Sequence, residues 1–216
     1  MHIKIGTLTI ELSFPLVAAM TAVIICDSSM SVTICFIAAI MHEAGHLIAL
    51  WRYGSFPKKI KLTLFDIAII DRNKPLRSLK KELAVILAGV TVNIAAAILS
   101  YVLNKLFPCT FFENLLAANI TLAVFNSLPV DSLDGGQAVF LLLCEKMDIK
   151  MAMAVLDVIS FIILVPIGCL GFLVLFRSRY NFTLLLTAVY LMALILIRKS
   201  GDIFAKVSNK HGKVKD

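Results

Sequence analysis

Two histidines and a glutamate lie within the apolar run IAAIMHEAGHLIAL, from Ile37 to Leu50. Burying an ionisable side chain in hydrocarbon costs roughly 2.5–3.5 kcal/mol, so such a group usually has a compensating partner. His42 and His46 are four residues apart, which places both imidazoles on one face of an α-helix. Two such imidazoles can bind one metal ion, and Glu43 beside them can act as a general base on water. The pattern H-E-x-x-H therefore predicts half of a zinc hydrolase site.

A third ligand must come from elsewhere, because a catalytic zinc ion normally has three protein ligands and one open position. The candidates are three acids in or beside apolar runs: Asp131, Asp134 and Asp157. We favour Asp134, because Pro129 and the Gly-Gly pair after Asp134 interrupt the helix where a carboxylate can turn inward. Asp131 remains a competitor, whereas Asp157 is expected to pair with a basic residue or to reach the membrane surface. The sequence thus predicts one Zn2+ per chain.

Asn126 precedes this interrupted segment. Its amide could bind the backbone of a substrate or stabilise an oxyanion, as asparagine side chains do in other hydrolases. A structural hydrogen bond to a neighbouring helix explains the residue equally well, so both roles stay open.

The composition of the 216-residue chain predicts a membrane protein. It is 60% hydrophobic and only 16% charged, whereas about a quarter of the residues in a soluble domain are charged. Long apolar runs alternate with short charged segments, and a run of about 18 or more apolar residues is typical of a membrane helix. We predict an all-α polytopic membrane protein with about six transmembrane helices: Leu12–Cys26, Ser31–Trp51, Leu83–Phe107, Leu115–Leu128, Met151–Phe176 and Phe182–Ile197. Gln137–Cys144 is apolar but too short to cross.

The basic residues predict the orientation in the membrane. The net charge is +7, and most Lys and Arg residues fall in segments that six spans would place on one side: Arg52–Lys81, Lys146–Lys150 and the tail from Arg198. The positive-inside rule makes that side the cytoplasm, with both termini, in a multi-pass protein of the cell membrane. His42 lies about 15 Å along a helix from Arg52, which places the site nearer the cytoplasmic side. No nucleic-acid motif accompanies the charge, so we expect no nucleic-acid partner.

Two segments have the alternation of strands rather than the period of helices. His2–Leu12 and Lys58–Ile70 alternate apolar and polar residues and are rich in β-branched side chains. We predict a small membrane-associated β-sheet at the cytoplasmic face, although two interfacial loops could show the same alternation. An exposed strand edge can hold an extended peptide, and Leu62 and Leu64 are the candidate positions for such a substrate clamp.

The two motifs together resemble the site-2 protease family of intramembrane zinc metalloproteases. Its patterns are H-E-x-x-H and N-x-x-P-x-x-x-x-D-G, which correspond here to HEAGH (residues 42–46) and to the segment from Asn126 to Gly135. The segments Asn73–Gly89 and Leu133–Leu143 further resemble the branch that processes a sporulation sigma factor. That branch carries a cytoplasmic CBS domain, for which this chain has no room, and Val90 stands where the family has proline.

The resemblance implies a zinc metalloendopeptidase that cleaves a membrane-tethered protein in or near its transmembrane segment, such as a pro-sigma or anti-sigma factor. It implies a single transmembrane metalloprotease domain over residues 1–200, followed by a short polar cytoplasmic tail over 201–216. The other partners are the lipid bilayer and a regulatory membrane protein. Neither the resemblance nor the residues give the oligomeric state.

Two other functions fit parts of the same pattern. A non-catalytic scaffold of the same fold would bind membrane partners, but such a protein has no need of Glu43 and a complete ligand set. A metal transporter also carries His and Asp within the membrane. It would have polar groups along several spans and no use for a glutamate directly after the first histidine.

Overall fold

The computed structural model describes residues 2–5, 8–12, 30–54, 59–62, 67–70, 78–178 and 184–197. Side chains are described in 30–54, 78–177 and 184–197, and every regular element there is a helix. The helices are α1 (Ser31–Arg52), α2 (Leu79–Ile86), α3 (Ala88–Leu106), α4 (Thr110–Asn126), α5 (Asp134–Cys144), α6 (Ile149–Ser178) and α7 (Leu184–Ile197).

Three of these helices are long and apolar enough to cross a membrane: Ser31–Arg52, Ala88–Leu106 and Ile149–Arg177, with 22, 19 and 29 residues. Their outward faces are apolar as well, as the exposed side chains of Ile40, Ile48, Ile98, Leu99, Ile162 and Leu173 show. A helix that is apolar on every face is typical of a membrane span. The chain is a membrane protein by length and composition of its helices.

The predicted fold class is wrong in its number of spans. Among the described residues, three helices reach membrane length rather than about six. The predicted spans Leu115–Leu128 and Phe182–Ile197 correspond to α4 and α7, which have about 17 and 14 residues. A bilayer core needs about 20 helical residues, so apolar composition alone overcounted the spans. The first predicted span, Leu12–Cys26, lies outside the described residues after Leu12.

The predicted sheet is corrected too. The residues whose side chains the structure describes contain no strand. The predicted sheet is therefore not part of that helical region. The backbone outside it has two short strands in each segment where the sequence predicted one: β1 (His2–Ile5), β2 (Leu8–Leu12), β3 (Lys59–Leu62) and β4 (Ile67–Ile70). The order is β1-β2-β3-β4, with antiparallel outer pairs and a parallel central pair. Alternation has the same period in both strands of a hairpin, so it could not reveal the break between them.

The chain divides into two compact units, residues 1–126 and 127–216. In the first unit, Ile34 and Ala38 of α1 form a buried cluster with Ala118 of α4. A Cβ atom on Gly45 would lie 2.8 Å from the carbonyl oxygen of Ala88, so α1 and α3 are in near backbone contact. Small residues allow such close approach between apolar helices, where no bulky side chain separates the backbones.

The predicted span Leu83–Phe107 is interrupted at Leu87, which separates α2 from α3. No proline causes this break: Leu87 keeps near-helical torsion angles, with φ −83° and ψ −3°. The carbonyl of Val85, near the end of α2, accepts a backbone N–H at the cap and also lies within hydrogen-bond distance of His46.

The second unit contains α5, α6 and α7. A Cβ atom on Gly171 would lie 2.7 Å from the backbone nitrogen of Leu185, so α6 and α7 also approach closely. The buried face of α6 is formed by four residues at intervals of four: Ala152, Leu156, Ser160 and Leu164. The tail 201–216 lies outside the described residues, and the predicted single domain over 1–200 stays a prediction.

Candidate metal centre

The two histidines of HEAGH lie on one face of α1, as their spacing predicts. His42 is 6% exposed, while His46 and Glu43 are half-buried. The Nε2 atoms of the two imidazoles are 3.2 Å apart, and the rings are nearly perpendicular at 80°. Two nitrogens bound to zinc at about 2.0–2.1 Å with a tetrahedral angle lie roughly 3.4 Å apart. The separation of the two rings therefore fits a shared zinc ion.

A hydrogen bond from outside α1 determines which nitrogen of His46 can bind a metal. Nδ1 of His46 lies 2.9 Å from the carbonyl oxygen of Val85, near the end of α2. A carbonyl only accepts, so Nδ1 carries a proton and donates it, and Nε2 is the nitrogen that remains to bind a metal. Metal-binding histidines commonly make such a bond through their second nitrogen. His46 thus presents Nε2 as its candidate ligand atom.

Gly89 of α3 borders both imidazoles. A Cβ atom at this position would lie 2.5 Å from Nε2 of His46 and 2.7 Å from Nε2 of His42. These are the nitrogens that face each other, so a side chain here would occupy space that a bound ion needs. Gly89 keeps the region beside the two donor atoms clear, which is a second feature that fits a metal ion.

Asp134 is the first residue of α5 and follows an irregular loop. Within that loop, the N–H of Val130 donates to Leu128 and the N–H of Leu133 donates to Val130, both at 2.8 Å. Side chains at Gly135 and Gly136 would collide with the backbone carbonyls of Ser127 and Val130, respectively. Glycine at both positions therefore lets the loop fold back against the start of the helix that carries Asp134.

One group of three potential metal ligands occurs among the described residues. His42, His46 and Asp134 each offer a ligand atom, and these atoms lie within 4.8 Å of one another. The rival acids Asp131 and Asp157 are not part of it. The donor set of two imidazoles and one carboxylate is one that zinc accepts in hydrolases. This group is thus compatible with zinc.

The structure gives less support to the roles predicted for the other site residues. Asn126 donates from its side-chain nitrogen to the carbonyl of Leu122 in its own helix at 3.1 Å, which fits the structural alternative. Leu62 ends β3, which pairs with β2 on one side and β4 on the other, so β3 has no free edge there. Leu64 lies outside the described residues. The roles of Asn126, of the clamp and of Glu43 as base stay predictions.

Sequence reasoning missed two partners of the site. The carbonyl of Val85 has no signal in the sequence, since every residue has one. Ser160 is a polar residue at 0% exposure within the apolar run of α6, and it contacts the loop before Asp134. The signal available in the sequence was a single serine spaced four residues from Leu156 and from Leu164, which lie on the same buried face of α6.

Comparison with known proteins supports the architecture. No protein-family model and no curated protein matches the chain. Among solved structures, the site-2 protease from Methanocaldococcus jannaschii is similar, with a TM-score of 0.61 and 21% sequence identity. The likeness covers 89% of this chain and 91% of that one. The two chains share a fold.

We expect Gly89→Ala to weaken zinc binding by at least about tenfold, as changes beside metal ligands commonly do. The added methyl group lies within 2.7 Å of both Nε2 atoms and must displace a ring or the ion. Zinc content of the purified protein and competition with a chromogenic chelator measure the effect. Gly168→Ala is the matched control, since its Cβ would be 3.8 Å from Ala188, an ordinary contact. Equal affinity in both variants contradicts the assignment of Gly89.

Proposed function

We propose that this chain is an intramembrane zinc metalloprotease that hydrolyses a peptide bond in or near a transmembrane segment of a membrane-tethered protein. The observation that carries the proposal is the grouping of His42, His46 and Asp134 within 4.8 Å. That grouping involves α1, which is long and apolar enough to cross a membrane. The fold shared with an archaeal site-2 protease supports the same function.

The residues of the site have separate tasks in this proposal. His42 and His46, through Nε2, and Asp134, through a carboxylate oxygen, would together hold one Zn2+. When bound, zinc polarises the carbonyl of the scissile bond and makes water more acidic. Glu43 removes a proton from the attacking water and delivers it to the leaving amide nitrogen. Asn126 is a secondary candidate for stabilising the oxyanion.

The substrate is a membrane-tethered protein whose helix must unwind locally before cleavage. A membrane helix satisfies its backbone internally, so its peptide bonds are not open to attack until some of those hydrogen bonds break. The lipid bilayer is the second partner. A pro-sigma or anti-sigma factor is the substrate class that the resemblance suggests, with a regulatory membrane protein as a further partner.

The proposal includes a multi-pass location in the cell membrane, with both termini in the cytoplasm and the site nearer that side. It requires an even number of spans, and so at least one crossing besides the three long helices. It rests on the positive-inside rule and on the roughly 15 Å of helix between His42 and Arg52. Epitope tags at the two ends should both be cleaved by external protease in inverted membrane vesicles and protected in right-side-out vesicles. Protection of either tag in the inverted vesicles contradicts this orientation.

Substitution of Glu43 by glutamine should abolish cleavage without loss of zinc. Removing a general base typically costs about 100-fold or more in rate, and glutamine keeps the shape of the side chain. The assay follows a tethered substrate in liposomes, with zinc content measured on the same preparation. Glu113→Gln, an exposed acid at the start of α4, is the control and should retain full activity. Undiminished cleavage by the Glu43 variant would falsify its role as the base.

Substitution of Asp134 by alanine should lower zinc affinity by more than about 100-fold, because it removes a direct ligand rather than a supporting contact. Asp131→Ala is the matched control, since Asp131 lies three residues earlier in the same loop and is also half-buried. The reverse ranking of the two variants would identify Asp131 as the ligand. A wild-type protein that binds zinc tightly and cleaves no membrane-tethered substrate would instead favour the non-catalytic scaffold.

A further inference from the structure

Ser160 is the polar member of the buried stripe on α6. Ala152, Leu156, Ser160 and Leu164 follow one another at intervals of four and are each at most 1% exposed. A buried hydroxyl in an apolar stripe loses its hydration and usually survives only where it forms a specific hydrogen bond. Apolar residues of similar size would fill the stripe equally well. The serine therefore calls for an explanation beyond packing.

The hydrogen bond that Ser160 forms reaches the loop before Asp134. The backbone N–H of Asp131 donates to Oγ of Ser160 at 3.1 Å. Residues 127–133 form irregular backbone, whose polar groups cannot all be satisfied by a helix or sheet ladder. The bond joins this loop to α6, a regular helix of 30 residues.

The loop and the start of α5 are packed as one piece. Gly135 and Gly136 lie so close to the carbonyls of Ser127 and Val130 that no side chain fits between them. The N–H of Leu133 also bonds to Val130, one residue before Asp131. We therefore expect a displacement of the loop at Asp131 to shift Asp134, three residues later.

We propose that Ser160 is a positioning residue, which holds the 127–133 loop so that the Asp134 carboxylate is kept in the orientation that a metal ion requires. The inference rests on the proposed function, since it assigns Asp134 as a ligand. Ser160 itself has no contact with the metal in this account. Its hydroxyl acts through the Asp131 backbone, so the side chain of Asp131 is not needed for the effect.

Alanine at position 160 is expected to weaken zinc binding about tenfold, within the range that contacts supporting metal ligands commonly contribute. It should also change the visible absorption spectrum of the Co2+-loaded protein, which reports ligand geometry. Ser100→Ala is the matched control: Ser100 is 2% exposed, and its hydroxyl bonds only to Ala96 within its own helix among the contacts described. If Ser160→Ala fails to fold, Ser160→Cys is measured in its place, because sulfur is a weak acceptor of similar size.

A double-mutant cycle separates positioning from general stabilisation. In the background of Asp134→Ala, removal of the Ser160 hydroxyl should have no further effect on metal affinity, because there is no carboxylate left to orient. Equal zinc affinity and equal Co2+ spectra in Ser160→Ala and Ser100→Ala overturn the inference. So does an undiminished effect of Ser160→Ala in the Asp134→Ala background. A wild-type protein that binds neither metal overturns the proposed function, and the inference with it.

Discussion

The hydrogen bond from Nδ1 of His46 to the carbonyl of Val85 is the interaction on which the metal centre depends most directly. It uses one nitrogen of the ring as a donor and thereby leaves Nε2 as the ligand. The carbonyl of Val85 also accepts a backbone N–H at the end of α2, which stops at Ile86. A carbonyl oxygen has two lone pairs, so it can accept the bond from His46 as well.

Close backbone approach is the second requirement, and it explains where the glycines lie. Gly45 brings α1 against α3, and Gly89 on α3 faces the two Nε2 atoms. Because lipid is as apolar as the side chains of a membrane helix, burial alone gives little preference for one helix contact over another. Contacts between small residues and specific polar bonds then determine how the helices pack. One glycine, Gly45, allows α1 and α3 to approach, and another, Gly89, leaves space beside the imidazoles.

The sequence predicted those parts of the candidate site that follow from residue spacing or from a short local motif. The four-residue interval of His42 and His46 translates directly into one helical face, and the Gly-Gly pair after Asp134 marked the turn that carries the candidate third ligand. It overcounted the spans, because apolar composition does not distinguish a helix of 17 residues from one that crosses a bilayer. It also missed Val85 and Ser160, whose importance comes from contacts 39 and 29 residues away along the chain. A long-range partner that is a backbone group leaves no trace in residue type.

The two parts of the donor set are built in different ways, and this has consequences for how each tolerates change. The histidines inherit their geometry from a regular helix of 22 residues, in which each backbone bond supports its neighbours. Asp134 follows seven residues of irregular backbone, which no helical hydrogen-bond ladder maintains. A loop of that kind keeps one conformation only when contacts from outside determine it. The glycine contacts and the Ser160 hydroxyl supply such contacts for the loop before Asp134. The imidazoles combine the geometry of α1 with the bond to Val85 and the space beside Gly89.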